Sequence, residues 1–423
     1  MFEQANHDHS LMSIFDQFTT QAKTAEQSSV ESSTGSAAVQ PHDTMSETPI
    51  PETIRQDWKL PGINKGDHSA PKSSIVPTPD GNLIIAGDTG MIYSVTPDGT
   101  VNWVAGTHPS GYGIHGTPVV AEGTVYIGAY DGALYAFDVT TGEQRWRTQF
   151  GDPDAPSPLG GGIGGSPIYH EGTIYVAVEF AAPYPSGGLF AVDAVTGAVE
   201  HEDRWPTGHP HSTPAIDHET GTIAFGANDG VLYAWTFPEL ERAWSFEADA
   251  PDDDNDVKGA IGVHDGAFFF GSWNESIYRV DAATGTQQWA SEADGYVMGG
   301  TVVDTETGTV YTGSHDEHCY ALDAASGDVQ WRFETDGWIT GCPAITPEHV
   351  LIGSYDGHLY ALDKETGEEA WNLSNHGWIT SKPLVHDGAL YYTESASEDR
   401  TGGAYRYSAP SHTQSADNHQ SQP

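Results

Sequence analysis

The residues of this chain best able to bind or react are unevenly placed. Lysine and arginine together number 16 in 423 residues, yet Lys258 and Lys382 fall beside His68, His115, His209 and His211 once the chain is aligned on a recurring proline. That proline stands at Pro71, Pro118, Pro167, Pro214, Pro343 and Pro383, with Ile261 and Thr301 in its place twice. Three residues before it come His68, His115, Gly164, His211, Lys258, Met298, Thr340 and Thr380; five before it come Gly66, Gly113, Gly162, His209, Asp256, Tyr296, Trp338 and Trp378. On a strand, alternate positions face the same way, so these form two tiers around a common centre. Imidazole and ammonium groups so gathered would attract a small anion or carboxylate, and Tyr296, Trp338 and Trp378 would stack on its planar part. The alternative is that the same groups bond to carbonyls and waters in a filled channel. A metal site is not expected, because His68, His115 and His211 belong to separate repeats and a neighbouring lysine disfavours a cation. The chain contains no Ser-His-Asp or Cys-His signature, no phosphate-binding Gly-Lys-Ser/Thr loop and no HExxH, so no nucleophile is named.

The elements that must position these residues are repeats of roughly 40 residues. The stretch Gly353–Trp371 (GSYDGHLYALDKETGEEAW) recurs in copies ending at Trp146, Trp289 and Trp331, and more weakly at Trp103, Trp205 and Trp244. Each copy has an apolar run, a Tyr-Asp-Gly type turn, an alternating segment such as Leu359–Leu362, a Thr-Gly turn and a tryptophan strand. Strand-period alternation between turn residues reads as β, and a fourth strand follows each proline. Two residues before the proline stand Ser69, Gly116, Gly165, Ser212, Gly259, Gly299, Gly341 and Ser381, all small, as crowding about an axis requires. The count predicts an all-β, eight-bladed propeller of four-stranded antiparallel blades over 51–409. The last repeat lacks a tryptophan strand, and Trp58 has the look of one without its repeat. The N-terminal strand should therefore complete the last blade and remove two open sheet edges.

The segment A-x-D-x-x-[TS]-G-x-x-x-W, present as Ala136–Trp146, Ala321–Trp331 and Ala361–Trp371, resembles the tryptophan-docking motif of the pyrroloquinoline-quinone (PQQ) propeller superfamily. The resemblance spans about Trp58 to Ala409 and implies the eight-bladed fold. The superfamily includes quinoprotein dehydrogenases and non-enzymatic assembly proteins, so the resemblance allows PQQ and Ca²⁺ as cofactors. Such dehydrogenases have an acidic base, a Ca²⁺ site and often adjacent cysteines. Here Cys319 and Cys342 are far apart, no residue carries over, and no cofactor is expected.

The 60 acidic residues and net charge of −44 disfavour nucleic acid and anionic lipid as partners and suit a high-salt solution. Two cysteines give no disulfide framework. Residues 1–50 are polar and expected to be disordered apart from a short amphipathic stretch at Leu11–Phe18, and 410–423 form a second polar tail. No export signal or spanning segment is legible, which points to the cytoplasm. Blade 3 is irregular, with a glycine-rich approach at Gly160–Gly165 and a lengthened hairpin at Phe180–Gly188. The acidic run Asp249–Asp256 lacks the ligand order of a calcium loop. His264 and Lys364 are expected to face solvent. These features point to a non-catalytic propeller in a high-salt organism, a protein-interaction scaffold or small-ligand module, with a PQQ-dependent dehydrogenase or another funnel-based enzyme as the alternative.

Overall fold

The computed structural model describes residues 46, 48–50, 53–65, 73–107, 113–151, 161–180, 185–249, 255–375, 377–396 and 402–410. Eight four-stranded antiparallel sheets are arranged as the blades of a propeller. Blades 1 to 7 are continuous in sequence, at 76–106, 119–149, 168–203, 215–247, 262–292, 302–334 and 344–374. Blade 8 joins the strands Leu384–His386, Ala389–Thr393 and Gly402–Ser408 to the N-terminal strand Arg55–Asn64, as expected. Residues 1–45, Leu11–Phe18 among them, and the tail from 411 lie outside the described residues, as does most of Asp249–Asp256, whereas Ile50 is buried against blades 7 and 8.

Within each blade the second and third strands are almost wholly buried, whereas the outermost strand alternates, as in Glu369–Ser374. This is the period-2 pattern of a strand with one face on the neighbouring blade and one in water. The apolar clusters lie between blades: Leu351, Leu359 and Ala361 of blade 7 pack on Leu390 and Tyr392 of blade 8.

The seams have a shared chemistry. Trp103 donates its indole N–H to the Val139 carbonyl, Trp146 to Ala194, Trp244 to Ala282, Trp289 to Ala324 and Trp331 to Lys364, each at 3.0 Å. Each acceptor lies in the last turn of the following blade, and the glycine of that turn lies flat under the indole. A Cβ on Gly367 would stand 2.5 Å from the Trp331 ring, and its φ of +72° is costly for any other residue. Trp58 makes the same contact with Pro97 and Gly99 of blade 1, also at 3.0 Å, so the closing strand seals the ring with the bond used elsewhere. Asn64, fully buried, fastens the seam from inside: its amide donates to the Glu394 carbonyl and accepts from the Asp88 N–H.

Two seams differ. Trp205 is not the docking tryptophan of blade 3; His201 pairs with Ala191 at that register position, as Trp146 pairs with Ala136 in blade 2. Leu240, at φ +58°, replaces the turn glycine of blade 4. Instead Asp203 accepts from the Trp235 indole at 2.8 Å and binds Arg242 at 2.5 Å, while Trp205 packs edge-on against Trp235. At the 7/8 seam the third-to-fourth strand turn is missing, because the ring closes there, and the Trp371 indole N–H has no partner among the described residues. Lys364 does not face solvent. Its ammonium lies 2.6 Å from the fully buried Asp304 carboxylate. Burial pushes the Asp304 carboxyl up, but Lys364 and backbone bonds from 306 and 307 outweigh it and hold it below its ordinary value.

Around the axis the small residues meet as anticipated: a Cβ on Gly116 would lie 2.4 Å from the Gly165 carbonyl, and one on Gly165 2.4 Å from that of Ser212. A further ring runs one residue on, where the Lys382, Ser74, Thr117 and Ser166 N–H groups donate to the hydroxyls of Ser74, Thr117, Ser166 and Thr213, each in the next blade. That ring corrects blade 1. Ser73 and Ser74 hold the places of Gly116 and Thr117, four residues later than an alignment on Pro71 puts them. His68, Ser69 and Pro71 lie outside the described residues, and His68 is not the register counterpart of His115.

Gly367 and Gly388 share a positive φ, +72° and +69°, but only Gly367 lies under an indole. Gly367→Ala should therefore cost about 1–3 kcal/mol more than Gly388→Ala, and equal midpoints in denaturant titration would show that the indole contact contributes nothing. Trp58→Ala should lower the melting temperature more than Trp371→Ala, by the equivalent of about 1–2 kcal/mol, because only Trp58 has its indole bond. Calorimetry of the two variants checks this.

Candidate functional site

The strand that enters each blade and the loop after its second strand meet at one end of the axis. There the N–H groups of Tyr130, Glu179, Asn228, Trp273, His315, Tyr355 and Ser395 donate to the carbonyls of Gly113, Gly162, His209, Asp256, Tyr296, Trp338 and Trp378, at 2.7 to 3.0 Å. The two sets of side chains thus interleave around the mouth of the funnel. The second set went unread in the sequence because it sits inside the Gly-x-Tyr-Asp-Gly motif, where the tyrosine reads as part of a turn. The available signal was its variability, Tyr, Asn, Trp, His and Tyr, between fixed small residues and the turn.

On blades 5 to 8 the interleaving builds an aromatic ladder. Trp273 stacks on Tyr296 at 4.9 Å, His315 on Trp338 at 4.6 Å and Tyr355 on Trp378 at 4.7 Å, with tilted contacts between the pairs. Tyr296, Trp338 and Trp378 are thus linked through two intervening rings, His315 and Tyr355, with Trp273 at the end of the ladder. Burial holds the His315 imidazole below its ordinary pKa despite the Asp316 carboxylate, so it stacks as a neutral ring. Burial likewise pushes the Tyr355 phenol up to about 12, with the Thr340 hydroxyl opposing. Trp338, 44% exposed, is the one exposed tryptophan, tyrosine or phenylalanine among the described residues. Thr340 and Thr380 are buried.

The cationic groups do not form the open positive tier anticipated. Lys258 lies 2.5 Å from the Asp256 carboxylate and 3.7 Å above the centre of the Trp273 ring. Lys382 is buried one tier deeper, beside Cys342. His115 is buried edge-on against Tyr130, with ring centres 4.8 Å apart.

His209 and His211 meet a group absent from the sequence reading, the carboxylate of Glu179. Its two oxygens lie 3.7 Å from His209 Nδ1 and His211 Nδ1, and Tyr130 Oη lies 3.5 Å from His211 Nδ1. Glu179 occupies the place that Tyr130 holds in blade 2, but the lengthened hairpin of blade 3 leaves no turn motif to mark it. Burial pushes its carboxyl up to about 8, against the Tyr130 hydroxyl and the charge of Lys258. Burial also holds His209 below its ordinary value, aided by Lys258 and opposed by a bond to the Phe180 backbone.

The thiols offer no nucleophile. Cys319 lies buried in the strand His318–Asp323, and burial holds it protonated; Cys342, just ahead of the strand Ala344–Ile345 and half-buried, is pushed up to about 11. No helix among the described residues is long and apolar enough to cross a membrane.

Blades, seams and funnel define a PQQ-like β-propeller. The family described as outer membrane protein assembly factor BamB matches residues 51–265 and 273–403, and the chain belongs to it. Among solved structures it is similar to BamB from Moraxella catarrhalis (TM-score 0.63, 18% identity, 85% of this chain and 99% of that one). It is also similar to a europium-containing methanol dehydrogenase (TM-score 0.72, 12% identity, 88% of this chain and 98% of that one). At such identities the likeness is one of fold. Over 180 residues it is 29% identical to the serine/threonine-protein kinase AfsK of Streptomyces coelicolor, 42% of this chain and 19% of the kinase. The chain thus spans about a fifth of the length of that relative.

The dehydrogenase likeness raises PQQ and calcium, and the described residues of the mouth do not fit them. Calcium takes six to eight oxygens, whereas the cluster offers one carboxylate beside two imidazoles, and Lys258 at the mouth is already paired with Asp256.

A carboxyl that holds its proton to about pH 8 when folded, against an ordinary value of 4.5, binds an extra proton in the native state across that window. Stability must then fall as pH rises through it, by up to about 1.4 kcal/mol per unit. In chelator, Glu179→Gln should lose this decline between pH 5 and 8, read from urea midpoints, while parallel profiles would show that Glu179 is ionised throughout.

Proposed function

We propose that the chain is a non-catalytic propeller acting as a protein-docking module, with the aromatic ladder of blades 5 to 8 as its contact face. The observation that carries this reading is Trp338, left 44% exposed at the centre of a ladder whose other rings are stacked and half-buried. A rigid, pre-stacked aromatic face loses little entropy on binding, and exposed aromatics of this kind anchor interfaces. The exposed Asp336 stands two residues before Trp338, and the exposed Asp294 two before Tyr296, where it pairs with Arg332. Indole face and carboxylates together favour a segment that brings a basic side chain. Membership of a family described by an assembly factor supports a protein partner, and the protonated thiols and paired Lys258 leave little for catalysis.

A photoreactive amino acid at position 338, installed in the source cells at high salt, should give one discrete protein adduct that is weakened at least tenfold by Tyr355→Ala with Trp378→Ala. The same label at Val195, exposed on a blade turn, should not give it. Identical adducts from both positions, or none from 338, would overturn the docking reading. The fold likeness to a methanol dehydrogenase keeps an enzymatic reading in view. Dye reduction with alcohols and aldoses in the presence of PQQ and Ca²⁺ tests it, and saturable turnover would replace the docking module with an enzyme.

A further inference from the structure

The funnel mouth holds a second constellation, on blades 2 to 4, that the docking face does not use. One ligand atom each from Glu179, His209 and His211 lies within 4.8 Å of the other two. Three features make this more than a chance meeting of polar groups. Glu179 is buried, and its oxygens stand 3.7 Å from each imidazole Nδ1, too far for hydrogen bonds. The space between the groups is kept open by glycine. A Cβ on Gly164 would come within 2.7 Å of Tyr130 Oη, 3.0 Å of His211 Nδ1 and 3.1 Å of Glu179 Oε1, and one on Gly162 would strike the Tyr130 ring at 2.8 Å. The glycine-rich approach to blade 3 thus clears the volume at which these groups aim. Finally, the supports are rigid: Gly162 and Glu179 exchange both backbone hydrogen bonds at 3.0 Å, and the His209 N–H is fixed by the Asn228 side chain at 2.6 Å.

We propose that Glu179, His209 and His211 bind a divalent transition-metal ion, with zinc the best match, in the cradle left by Gly162 and Gly164. Two imidazole nitrogens and one carboxylate oxygen form a borderline donor set that selects zinc and its first-row neighbours over calcium and magnesium, which take oxygen. The cation also answers the cost of the buried carboxylate, since an ion with two positive charges replaces the proton that burial otherwise forces on Glu179. Lys258 does not bar the site, because its ammonium is engaged by Asp256 and the Trp273 face. Three protein ligands leave a position on the ion, which Tyr130 Oη or a molecule from the funnel can take. The site is independent of the docking face on blades 5 to 8.

The test uses the full chain, stripped with chelator and titrated with Zn²⁺ by calorimetry against a competing weak chelator, with Co²⁺ absorption as a second readout. One ion per chain should bind, with the d–d bands of a low-coordinate cobalt centre. Glu179→Gln and His211→Ala should each weaken it at least tenfold, and Gly164→Ala should do the same without removing any ligand. His315→Ala, in the ladder, should leave it unchanged. Circular dichroism confirms folding, and Gly164→Ala carries the test should a ligand variant fail to fold. Absence of a one-to-one zinc complex, its persistence in His209→Ala with His211→Ala, or preference for Ca²⁺ would each overturn the proposal.

Discussion

Six of the eight seams are set by the flat contact of an indole with a glycine of the next blade. The hydrogen bond alone is worth about 1 kcal/mol, but its geometry admits little variation, because the glycine φ, the 3.0 Å bond and the ring plane must agree together. Repeated around the ring, the contact sets the angle between successive blades, and that angle brings eight entering strands close enough for Gly116 to touch Gly165 and Ser74 to bond Thr117. Funnel and seam are thus one constraint seen from two radii.

Where the contact is replaced, chemistry concentrates. His201 and Leu240 stand where tryptophan and glycine stand elsewhere, and the 3/4 seam is held by the Asp203–Arg242 pair. The Glu179, His209 and His211 cluster spans the same two blades at the other end of the axis.

The sequence was most legible where one residue type has one physical use. Recurring tryptophan strands and small residues at the axis gave the blade count, and Trp58 without its repeat gave the closing strand. It was least legible where a residue type has several uses. Pro71 resembles the prolines that open other blades, yet Ser73 and Ser74 take the axial places, and only the hydrogen bonds between blades show this. Trp205 resembles a docking tryptophan but packs on Trp235 instead. At the funnel, His209, His211, Tyr296, Trp338 and Trp378 were found by counting back from the proline. Trp273, His315 and Tyr355 were missed because they arrive from a loop whose sequence reads as a turn, and Glu179 because its lengthened hairpin has no turn motif to mark it.

The closing strand also bears on how the molecule comes to exist. Asp57 binds Arg406 across 349 residues of chain, and Lys59 binds Glu394 across 335, whereas every other blade pairs strands that are neighbours in sequence. Seven blades can form in the order of synthesis, but the first strand must wait, unpaired, until the last hairpin has left the ribosome. Loop closure over that distance adds only about 0.6 kcal/mol per doubling of length, so the delay is kinetic in origin and small in free energy. Throughout it, the strand Arg55–Asn64 lacks its partner Gly402–Ser408, which makes blade 8 the one blade whose strands two copies can exchange.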